Sequence, residues 1–505
     1  MSSTPLEGEK IISAKEAARI EKVAIDRGAK EMQFMEGAGA SIAEATQRYM
    51  NAWGSLKHVH LVIGKGNNGG DAYAAGIHLL EHNCIVIAWE LYPTQQCSPL
   101  SQIMRARFVK KGGKTSTTIP PLKEGVIVDG IYGTGFSGKL EPKVAEAIRC
   151  MNEAKLPIIA IDLPSGVHGN TGETGDVAVR ARVTMALEFP KTGSFLRKGW
   201  DCSGEICTVP YGLSTKEREA AREDAYIFAA HRIPDLLPQV LRSRHKYETG
   251  YVLGIAGSRT MPGAALLASF ATLKAGAGIV RLFSSKEGIA ACTTAPHEVI
   301  REPFHVSRFK QEVQRAKSLF LGPGLGVSSA TQKLVQQVFA ILPIPAVVDA
   351  DALRYLPPRS LPENIILTPQ HAEMERLSPI KEQILEQSQA YVERRKCTLV
   401  LKGGPTWIFH PHTSPLLIAQ GHPALAKAGT GDVLTGVIAA LLAQGLPTRT
   451  AAALGASFHG LAGECAAKEL SSYGVVASDL FTYLPRVMRV YETSCATKAS
   501  SFLDF

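Results

Sequence analysis

The stretch HVHLVIGKGNNGGD, residues 58–71, predicts a buried β-strand that leads through a glycine-rich turn into a helix. Its first six residues are mostly apolar, and its last eight include four glycines. Three similar apolar runs follow it: CIVIAWE (84–90), GVIVDG (125–130) and LPIIAID (156–162). Helix-sized segments, such as 71–83 and 102–111, lie between the runs. Apolar strands that alternate with helices are typical of a parallel sheet covered on both faces, so we expect a doubly wound, Rossmann-like α/β domain.

The second half of the chain repeats this alternation of strands and helices. Its apolar runs are YVLGIAG, GIVRLF, SLFLG, PAVVDAD, NIILTP and TLVLKGG. A helix pattern covers 262–274, and a long helical tail begins near Asp432. The charged segment STKEREAARED, which starts at Ser214, is expected to be a solvated helix or a linker. Because 505 residues exceed one ordinary core, we predict two α/β domains, over residues 1–215 and 225–505.

The composition is that of a soluble globular protein, with 45% hydrophobic and 20% charged residues. The net charge of +9 suits anionic ligands, but no basic run with interleaved aromatic residues indicates nucleic-acid binding. Nine scattered cysteines without a C-x-x-C pair favour reduced thiols over disulfides or zinc. The first residues lack a signal-peptide core, and no apolar run reaches the roughly 20 residues that span a bilayer. We therefore expect a cytoplasmic homo-oligomer with small-molecule substrates and no membrane partner.

Three glycine-rich loops of the first half follow predicted strands, and each carries an aspartate. GKGNNGGD contains Asp71, DGIYGTGFSG begins with Asp129, and DLPSG begins with Asp162. Ligands of open α/β sheets bind beyond the carboxyl ends of the strands. Glycines in such loops let backbone N–H groups approach an anion closely. The three loops therefore predict one ligand site at this edge of the sheet.

The spacing G-x-G-x-x-G within residues 64–69 raises the question of an ordinary dinucleotide-binding dehydrogenase. Glu90, at the end of the second strand, would then bind the ribose. However, that fingerprint does not require the paired asparagines, and Asp71 would repel a pyrophosphate. In a simpler alternative the glycines only form turns and Asp71 caps its helix. That alternative explains one loop better than three acid-bearing loops at adjacent strand ends.

The ordered motifs GKGNNGGD, DGIYGTG, IAIDLPSG and EFPKTGSFLRKG resemble the NAD(P)H-hydrate epimerase family over residues 12–212. The resemblance implies that Asp162 holds a hydrated nicotinamide ring and acts as general acid or base, although Asp129 could exchange roles with it. It further implies a potassium ion bound by Asn68, Asp129 and Ser165, because hard oxygen ligands suit such an ion. One departure is Glu21, where the family commonly has aspartate. The implied substrate-binding residues are Asn67, Asn68, Gly69, Gly70, Asp71, Gly133, Thr134, Gly135, Phe136, Ser137, Gly138, Lys139 and Asp162.

The segment AKAGTGDVLTG, residues 426–436, is the most distinctive motif of the second half. A Gly-Thr-Gly turn that opens a helix leaves backbone N–H groups unpaired, and the helix dipole adds positive potential. This arrangement predicts an anion site for nucleotide phosphates. Asp432, in the first turn, can take a proton from a hydroxyl group, although a helix N-cap is the simpler alternative.

Two further loops of the second half are rich in glycine, GPGLG at 322–326 and LKGGPTWIFHP at 401–411. Lys402 ends a predicted strand and enters its loop where it can meet a phosphate group. Asp349 and Asp351, in VVDADAL, either approach a magnesium–phosphate complex or cap the next helix. The residues leave these two alternatives open.

The ordered motifs RHKYETGYVLGIAGS, MPGAALLA, AGAGIV, GPGLG, VVDADAL, LTPQHAEMERL, LVLKGG and AGTGDVLTG resemble the ADP- or ATP-dependent NAD(P)H-hydrate dehydratase family over residues 235–490. The resemblance implies a ribokinase-like fold, a magnesium ion with ADP or ATP, and Asp432 as the base that deprotonates a ring hydroxyl. The implied nucleotide-binding residues are Lys402, Gly403, Gly404, Pro405, Thr406, Ala426, Lys427, Ala428, Gly429, Thr430 and Gly431. The implied substrate-binding residues are Ala264, Gly324, Gln370, His371, Glu373 and Asp432. The family commonly reads T-P-H where this chain has Gln370 followed by His371, so either residue could take the histidine's role.

Together the two resemblances predict a bifunctional repair enzyme for hydrated NADH and NADPH. The first half would interconvert the R and S epimers, and the second would dehydrate the S epimer with ADP or ATP. The alternative is a ribokinase-class small-molecule kinase fused to a noncatalytic nucleotide-binding module. The residues do not decide between ADP and ATP as the donor.

Overall fold

The computed structural model describes residues 6–294, 296–379 and 383–496. They form two compact units: the N-terminal unit, Lys10–Ala225, and the C-terminal unit, which runs from Tyr226 onward and includes residues 6–9. None of the helices in these ranges combines the length and the apolar character needed to cross a bilayer.

The N-terminal unit is built on a seven-stranded sheet in which every described pair of neighbours is parallel. Its strands are β2 (His58–Ile63), β3 (Ile85–Glu90), β4 (Lys114–Ser116), β5 (Val126–Gly130), β6 (Ile158–Ile161), β7 (Val183–Leu187) and β8 (Glu205–Val209). Its helices are α1 (Ala14–Asp26), α2 (Glu31–Trp53), α3 (Asn67–Glu81), α4 (Pro99–Lys110), α5 (Pro142–Glu153), α6 (Arg197–Ser203) and α7 (Thr215–Ala220). The strand order is β4-β3-β2-β5-β6-β7-β8.

Both faces of this sheet are covered because its strands are apolar on both sides. In β2, Val59, Leu61 and Ile63 join a buried cluster with side chains of α2, α3 and α4. Val62, which points to the opposite face, joins a second cluster with side chains of α5. Successive side chains of a strand alternate between faces, so a continuous apolar run fills two layers. The parallel α/β architecture expected of this half is confirmed.

The C-terminal unit is built on an eleven-stranded sheet, to which residues at the start of the chain contribute. Its strands are β1 (Glu7–Ile11), β9 (Ala225–Phe228), β10 (Tyr251–Ile255), β11 (Ile279–Ser284), β12 (Val299–Pro303), β13 (Ser318–Leu321), β14 (Ala346–Val348), β15 (Ile365–Leu367), β16 (Thr398–Leu401), β17 (Thr406–Phe409) and β18 (Leu416–Ile418). Its helices are α8 (Ile233–Leu236), α9 (Pro262–Lys274), α10 (Lys286–Ala291), α11 (Val306–Val313), α12 (Ser329–Phe339), α13 (His371–Leu377), α14 (Ile384–Arg395), α15 (Thr430–Ala443), α16 (Thr448–Leu470) and α17 (Leu480–Ala496). The strand order is β1-β9-β18-β17-β16-β15-β14-β13-β10-β11-β12.

This larger sheet is mixed. Strand β17 runs antiparallel to both β16 and β18, whereas the other described pairs are parallel. Only four residues separate β16 from β17, which is enough for a hairpin but too few for a parallel crossover. One face of the sheet packs on α9, α15, α16 and α17 in a single apolar cluster.

Two helix boundaries differ from the sequence-based expectation. Helix α3 begins at Asn67 and not at Asp71, so the NNGG residues form its first turn. The expected helical tail from Asp432 is divided, because α15 ends at Ala443 and α16 begins at Thr448. Gly445, with φ 91°, and Pro447 lie between them and interrupt the helix.

Candidate active sites

The three acid-bearing loops of the N-terminal unit meet at one cavity of about 450 Å³. Seven of the predicted substrate-binding residues line it: Asn67, Asn68, Asp71, Gly133, Thr134, Gly135 and Asp162. The lining also includes Glu21, Glu31 and Tyr211, which sequence reasoning did not place there. Because α3 starts at Asn67, the amide end of this helix also faces the site.

The remaining predicted residues of this site lie outside the lining. Gly69 and Gly70 serve packing, since a Cβ atom there would lie 2.5 Å from the Gly64 carbonyl oxygen or from the Met35 methyl carbon. Phe136 is buried, and its ring packs 5.6 Å from that of Tyr132. Three exposed residues complete the set: Ser137, Gly138 and Lys139.

Asp162 is held in the cavity by a buried ion pair with Lys191. The Lys191 Nζ donates to Asp162 Oδ1 at 2.5 Å and to the Leu187 carbonyl oxygen at 2.8 Å. The two side chains are only 3% and 8% exposed. Asp162 also has a φ of 66°, a left-handed conformation that aspartate tolerates better than most residues. Sequence reasoning quoted the PKTG motif but gave Lys191 no role.

Three more carboxyl groups, those of Asp71, Glu21 and Glu31, share this cavity. Burial, followed by the charges of Asp162 and Glu21, raises the pKa of Asp71 well above its usual range. Burial also raises the pKa of Glu21, with a smaller effect from Glu31. Burial thus favours the neutral form of Asp71 and of Glu21. The cavity therefore combines two acids that hold protons more readily than in water with the ion pair of Asp162 and Lys191.

The predicted cation ligands Asp129 and Ser165 lie together beneath the cavity. The Ser165 hydroxyl donates to Asp129 Oδ1 at 2.6 Å, and the Ser165 amide donates to Oδ2 at 2.8 Å. Burial raises the pKa of Asp129 to about 6, against these hydrogen bonds. Asn68 lines the cavity, and its Nδ2 has no hydrogen-bond partner among the described residues. This amide, carboxylate and hydroxyl set offers the hard oxygens that an alkali cation takes.

Glu90 cannot serve as the ribose-binding acid of a dehydrogenase. The Tyr73 hydroxyl and the Arg105 Nε each donate to Glu90 Oε1 at 2.7 Å, and Arg105 also donates to Oε2 at 3.2 Å. The carboxylate is buried and already paired. The ordinary dehydrogenase reading is therefore disfavoured by structure as well as by sequence.

In the C-terminal unit, Asp432 lies in the first turn of α15, as expected. The N-cap of this helix is Gly429, with φ 92°, so Asp432 is not the cap. Burial raises the pKa of Asp432 to about 7; the Asp349 charge adds to this, and the Lys402 charge opposes it. A carboxylate of this strength can accept a proton near neutral pH.

Lys402 lies beside the Gly-Thr-Gly turn, where a Cβ atom on Gly431 would be 3.3 Å from its Nζ. The same ammonium donates to Asp349 Oδ1 at 2.7 Å. Asp349 occupies the N-cap position of the short 3-10 helix Ala350–Tyr355, but its side chain makes no capping hydrogen bond there. Asp351 instead accepts from the Gly326 amide at 2.8 Å and orders the GPGLG loop.

Two of the predicted dehydratase residues, Gln370 and Glu373, form a capping box at the start of α13. His371, the next residue, is exposed, and a Cβ atom on Gly403 would lie 3.3 Å from its ring. His371 therefore borders the Lys-Gly-Gly-Pro loop. Two other predicted residues, Ala264 and Gly324, are neighbours, since a Cβ atom on Gly324 would be 2.9 Å from that of Ala264.

The residues before Asp432 fold into a tight turn. The Thr430 hydroxyl donates to the carbonyl oxygens of Leu425 and Lys427, at 2.7 and 2.9 Å. The Lys427 ammonium is tied to the Tyr473 carbonyl oxygen at 2.5 Å. Both side chains are thereby tied to backbone carbonyl groups around the turn. The other residues predicted to bind the nucleotide belong to the same two segments, the loop after β16 and the turn before Asp432: Gly404, Pro405, Thr406, Ala426 and Ala428.

Comparisons with known proteins cover both units. The family model of the YjeF-related protein N-terminus matches residues 31–193, and that of NAD(P)H-hydrate dehydratase matches residues 252–486. A bifunctional NAD(P)H-hydrate repair enzyme of Moorella thermoacetica is 33% identical, covering 92% of this chain and 93% of that protein. Its counterpart in Thermofilum pendens is 32% identical, with 95% and 96% covered. The structure of a hypothetical protein, SMU.573, from Streptococcus mutans is 27% identical with a TM-score of 0.50, covering 53% of this chain and 99% of that one.

The two α/β units match the two family models and together form a two-site enzyme of nicotinamide-cofactor repair. Buried Asp162 lies at the end of the N-terminal sheet, and half-buried Asp432 lies at the glycine turn of α15. The chain belongs to the family of bifunctional NAD(P)H-hydrate repair enzymes. The resemblance drawn from motif order is thereby confirmed, as is the α/β fold of both halves.

Proposed function

We propose that the N-terminal unit interconverts the R and S epimers of hydrated NADH and NADPH, and that the C-terminal unit dehydrates the S epimer with ADP or ATP. Full-length similarity to bifunctional repair enzymes supports both activities. The single observation that carries the proposal is the placement of two acids, buried Asp162 and half-buried Asp432, at the family motifs. Asp162 faces the N-terminal cavity, and Asp432 follows the glycine turn of α15.

The epimerase substrate carries a hydroxyl group on the ring carbon beside the nitrogen. Its inversion requires that the carbon–oxygen bond breaks as the hydroxyl takes a proton, while the nitrogen lone pair forms a double bond to carbon. Water then adds to the other face and returns a proton to the site. Asp162, which Lys191 holds in the cavity, is proposed as the general acid or base at the ring, and Asp71, whose pKa is raised by burial, is the second acid that can take part in proton transfer.

Asn68, Asp129 and Ser165 are proposed to hold a potassium ion. Such an ion supplies positive charge that orders the loops around the cavity. The oxygen-rich donor set supports this assignment, and no cluster of three or more His, Cys, Asp or Glu residues in the described ranges suggests another metal. The residues themselves join β5 to the loop after β6, through the Ser165 hydrogen bonds to Asp129.

In the C-terminal unit, Asp432 takes the proton of the ring hydroxyl as the hydroxyl oxygen attacks the terminal phosphorus of the nucleotide. The bond between that phosphorus and its bridging oxygen breaks, which releases ADP from ATP or AMP from ADP and leaves a phosphate ester on the ring. The carbon–oxygen bond of this ester then breaks, so that phosphate leaves with the bonding electrons as the ring nitrogen donates its lone pair, and a proton lost from the adjacent carbon restores the dihydronicotinamide. Lys402 and the amides of the Gly-Thr-Gly turn meet the transferred group. A magnesium ion that arrives with the nucleotide neutralises phosphate charge.

The assay uses purified chain, separated R and S epimers of hydrated NADH, and either ADP or ATP with magnesium. Recovery of reduced-nicotinamide absorbance from both epimers is the expected result. Failure with both epimers and both nucleotides would refute the proposal. Accumulation of a stable phosphorylated product would instead favour a small-molecule kinase.

We further propose that the enzyme is a cytoplasmic homo-oligomer. The described cysteines are all free, which supports a reducing compartment. Light scattering of the purified chain tests the oligomeric state, and a monomer at micromolar concentration would contradict it.

A further inference from the structure

Asp349 is a buried carboxylate that the proposed chemistry does not use. It is only 1% exposed and follows β14. Its Oδ1 accepts from the Lys402 ammonium and its Oδ2 from the Thr435 hydroxyl, each at 2.7 Å. Thr435 lies one turn after Asp432 on α15, and Lys402 follows β16. One acid therefore ties together the lysine and the helix that frame the dehydratase turn.

The positive charge of Lys402 lowers the pKa of Asp432. A lysine side chain has four rotatable bonds, so its ammonium needs a fixed partner to stay at one place. Two other acids whose charges act on Asp432 are engaged, since Asp351 accepts from the Gly326 amide and Glu373 from the Gln370 amide. Without Asp349, the free acid left for Lys402 would be Asp432, the proposed base.

We propose that Asp349 is a positioning residue of the dehydratase site. It holds the Lys402 ammonium beside Gly431, where that charge meets the phosphoryl group, and it keeps Lys402 from pairing with Asp432. This inference rests on the function proposed for the C-terminal unit. Thr435 anchors the other carboxylate oxygen and so keeps Asp349 aligned with α15.

The charges around Asp432 make the proposal testable by pH. Asp349, Asp351 and Glu373 raise its pKa after burial, and Lys402 lowers it. His459, which bonds the Thr430 carbonyl oxygen, stays neutral because burial lowers its pKa to about 4. Exposed His371 borders the same loop.

Two substitutions should shift the pH profile in opposite directions. Asp349→Asn removes a negative charge and frees Lys402 to approach Asp432, and both effects lower the pKa of the base. Lys402→Met removes the positive charge and raises that pKa. The acidic limb of the dehydration rate should therefore move to lower pH in the first variant and to higher pH in the second.

The experiment measures initial dehydration rates of the full-length chain with the S epimer and magnesium ATP across pH 5.5 to 9, alongside calorimetric ATP binding. Asp349→Asn should weaken ATP binding about tenfold, the order of one lost charge-assisted hydrogen bond. Thr435→Val keeps all charges and should lower the rate without moving the pH midpoint. Asp235→Asn, at an exposed position of α8, removes an equal charge outside the site and should change neither quantity.

An unshifted midpoint in Asp349→Asn, or a shift in the same direction as in Lys402→Met, would overturn the inference. If Asp349→Asn does not fold, the upward shift in Lys402→Met and the fixed midpoint in Thr435→Val must still be observed, and the absence of either overturns it. A wild-type chain without dehydratase activity would refute the proposed function instead. In that case the ATP affinity of Asp349→Asn alone tests whether Asp349 positions Lys402. A tenfold loss of affinity supports this role, and an unchanged affinity refutes it.

Discussion

The buried pair of Lys191 and Asp162 leads to a quantitative prediction about stability. Lys191→Met removes the ammonium group and keeps most of the volume of the side-chain stem. Asp162 then retains one weak partner, the Leu187 amide at 3.3 Å. Its carboxylate is 8% exposed and shares the cavity with Asp71 and Glu21. The variant must therefore either carry an unpaired buried charge or bind a proton.

The free-energy cost of protonating Asp162 sets the upper limit of the stability that Lys191→Met can lose. Binding a proton at pH 7 to a carboxyl group with an ordinary pKa of about 3.9 costs about 4 kcal/mol, at about 1.4 kcal/mol per unit. Breaking a buried ion pair by removing one partner costs about 3–5 kcal/mol, a range that contains this limit. We expect the free energy of unfolding of the N-terminal unit to fall by about 3–4 kcal/mol at pH 7. At pH 5 the limit is only about 1.5 kcal/mol, because the proton is then easily bound.

The assay is urea unfolding of the full-length chain at pH 5 and pH 7, followed by tryptophan fluorescence. Three of the four tryptophans lie in the N-terminal unit: Trp53, Trp89 and Trp200. The matched control is the double variant Asp162→Asn with Lys191→Met, which carries neither charge and should regain most of the lost stability. Equal destabilisation at the two pH values, or a double variant as unstable as the single one, would refute the reasoning.

Three further predictions concern activity. Dehydration should slow as pH falls through about 7, because Asp432, with its raised pKa, must be ionised to act as a base; a rate that rises toward acid pH would contradict this. Replacing potassium by tetramethylammonium should lower epimerisation in the wild type but have little further effect in Asp129→Asn, and equal sensitivity would contradict the cation assignment. Gly133→Ala should raise the KM of epimerisation at least several-fold, because its Cβ atom would lie 3.1 Å from Asn68 Oδ1 and 3.3 Å from Asp162 Oδ2; an unchanged KM would place the substrate elsewhere.

The alternation of apolar runs was enough to predict the parallel α/β class and four strands of the N-terminal sheet, β2, β3, β5 and β6, because fully buried parallel strands are continuous in sequence. It missed the other three strands of the sheet, β4, β7 and β8. It did not reveal where α3 starts. Asparagine and glycine favour turns over helix interiors, so local propensity placed the helix start at Asp71. The structure begins the helix at Asn67, where packing of Gly69 against the carbonyl oxygen of Gly64 leaves no room for a side chain.

The acids of both sites were predictable because each lies inside a compact motif. Their partners were not, since only the fold brings them together. Lys191 lies 29 residues after Asp162, and Lys402 lies 53 residues after Asp349. Glu21 reaches the cavity from α1, which precedes the motif-bearing strands. Long-range ion pairs leave no spacing signal in a single sequence.

The central claim, that each unit carries one half of the repair through its own acid, is tested most directly by complementation. Asp162→Asn and Asp432→Asn chains are assayed separately and mixed, with the R epimer of hydrated NADH and magnesium ATP. Each variant alone should recover reduced nicotinamide at no more than the rate of uncatalysed epimer exchange, and the mixture should recover it rapidly. Rapid recovery by either variant alone, or none by a mixture of folded chains, would contradict the account.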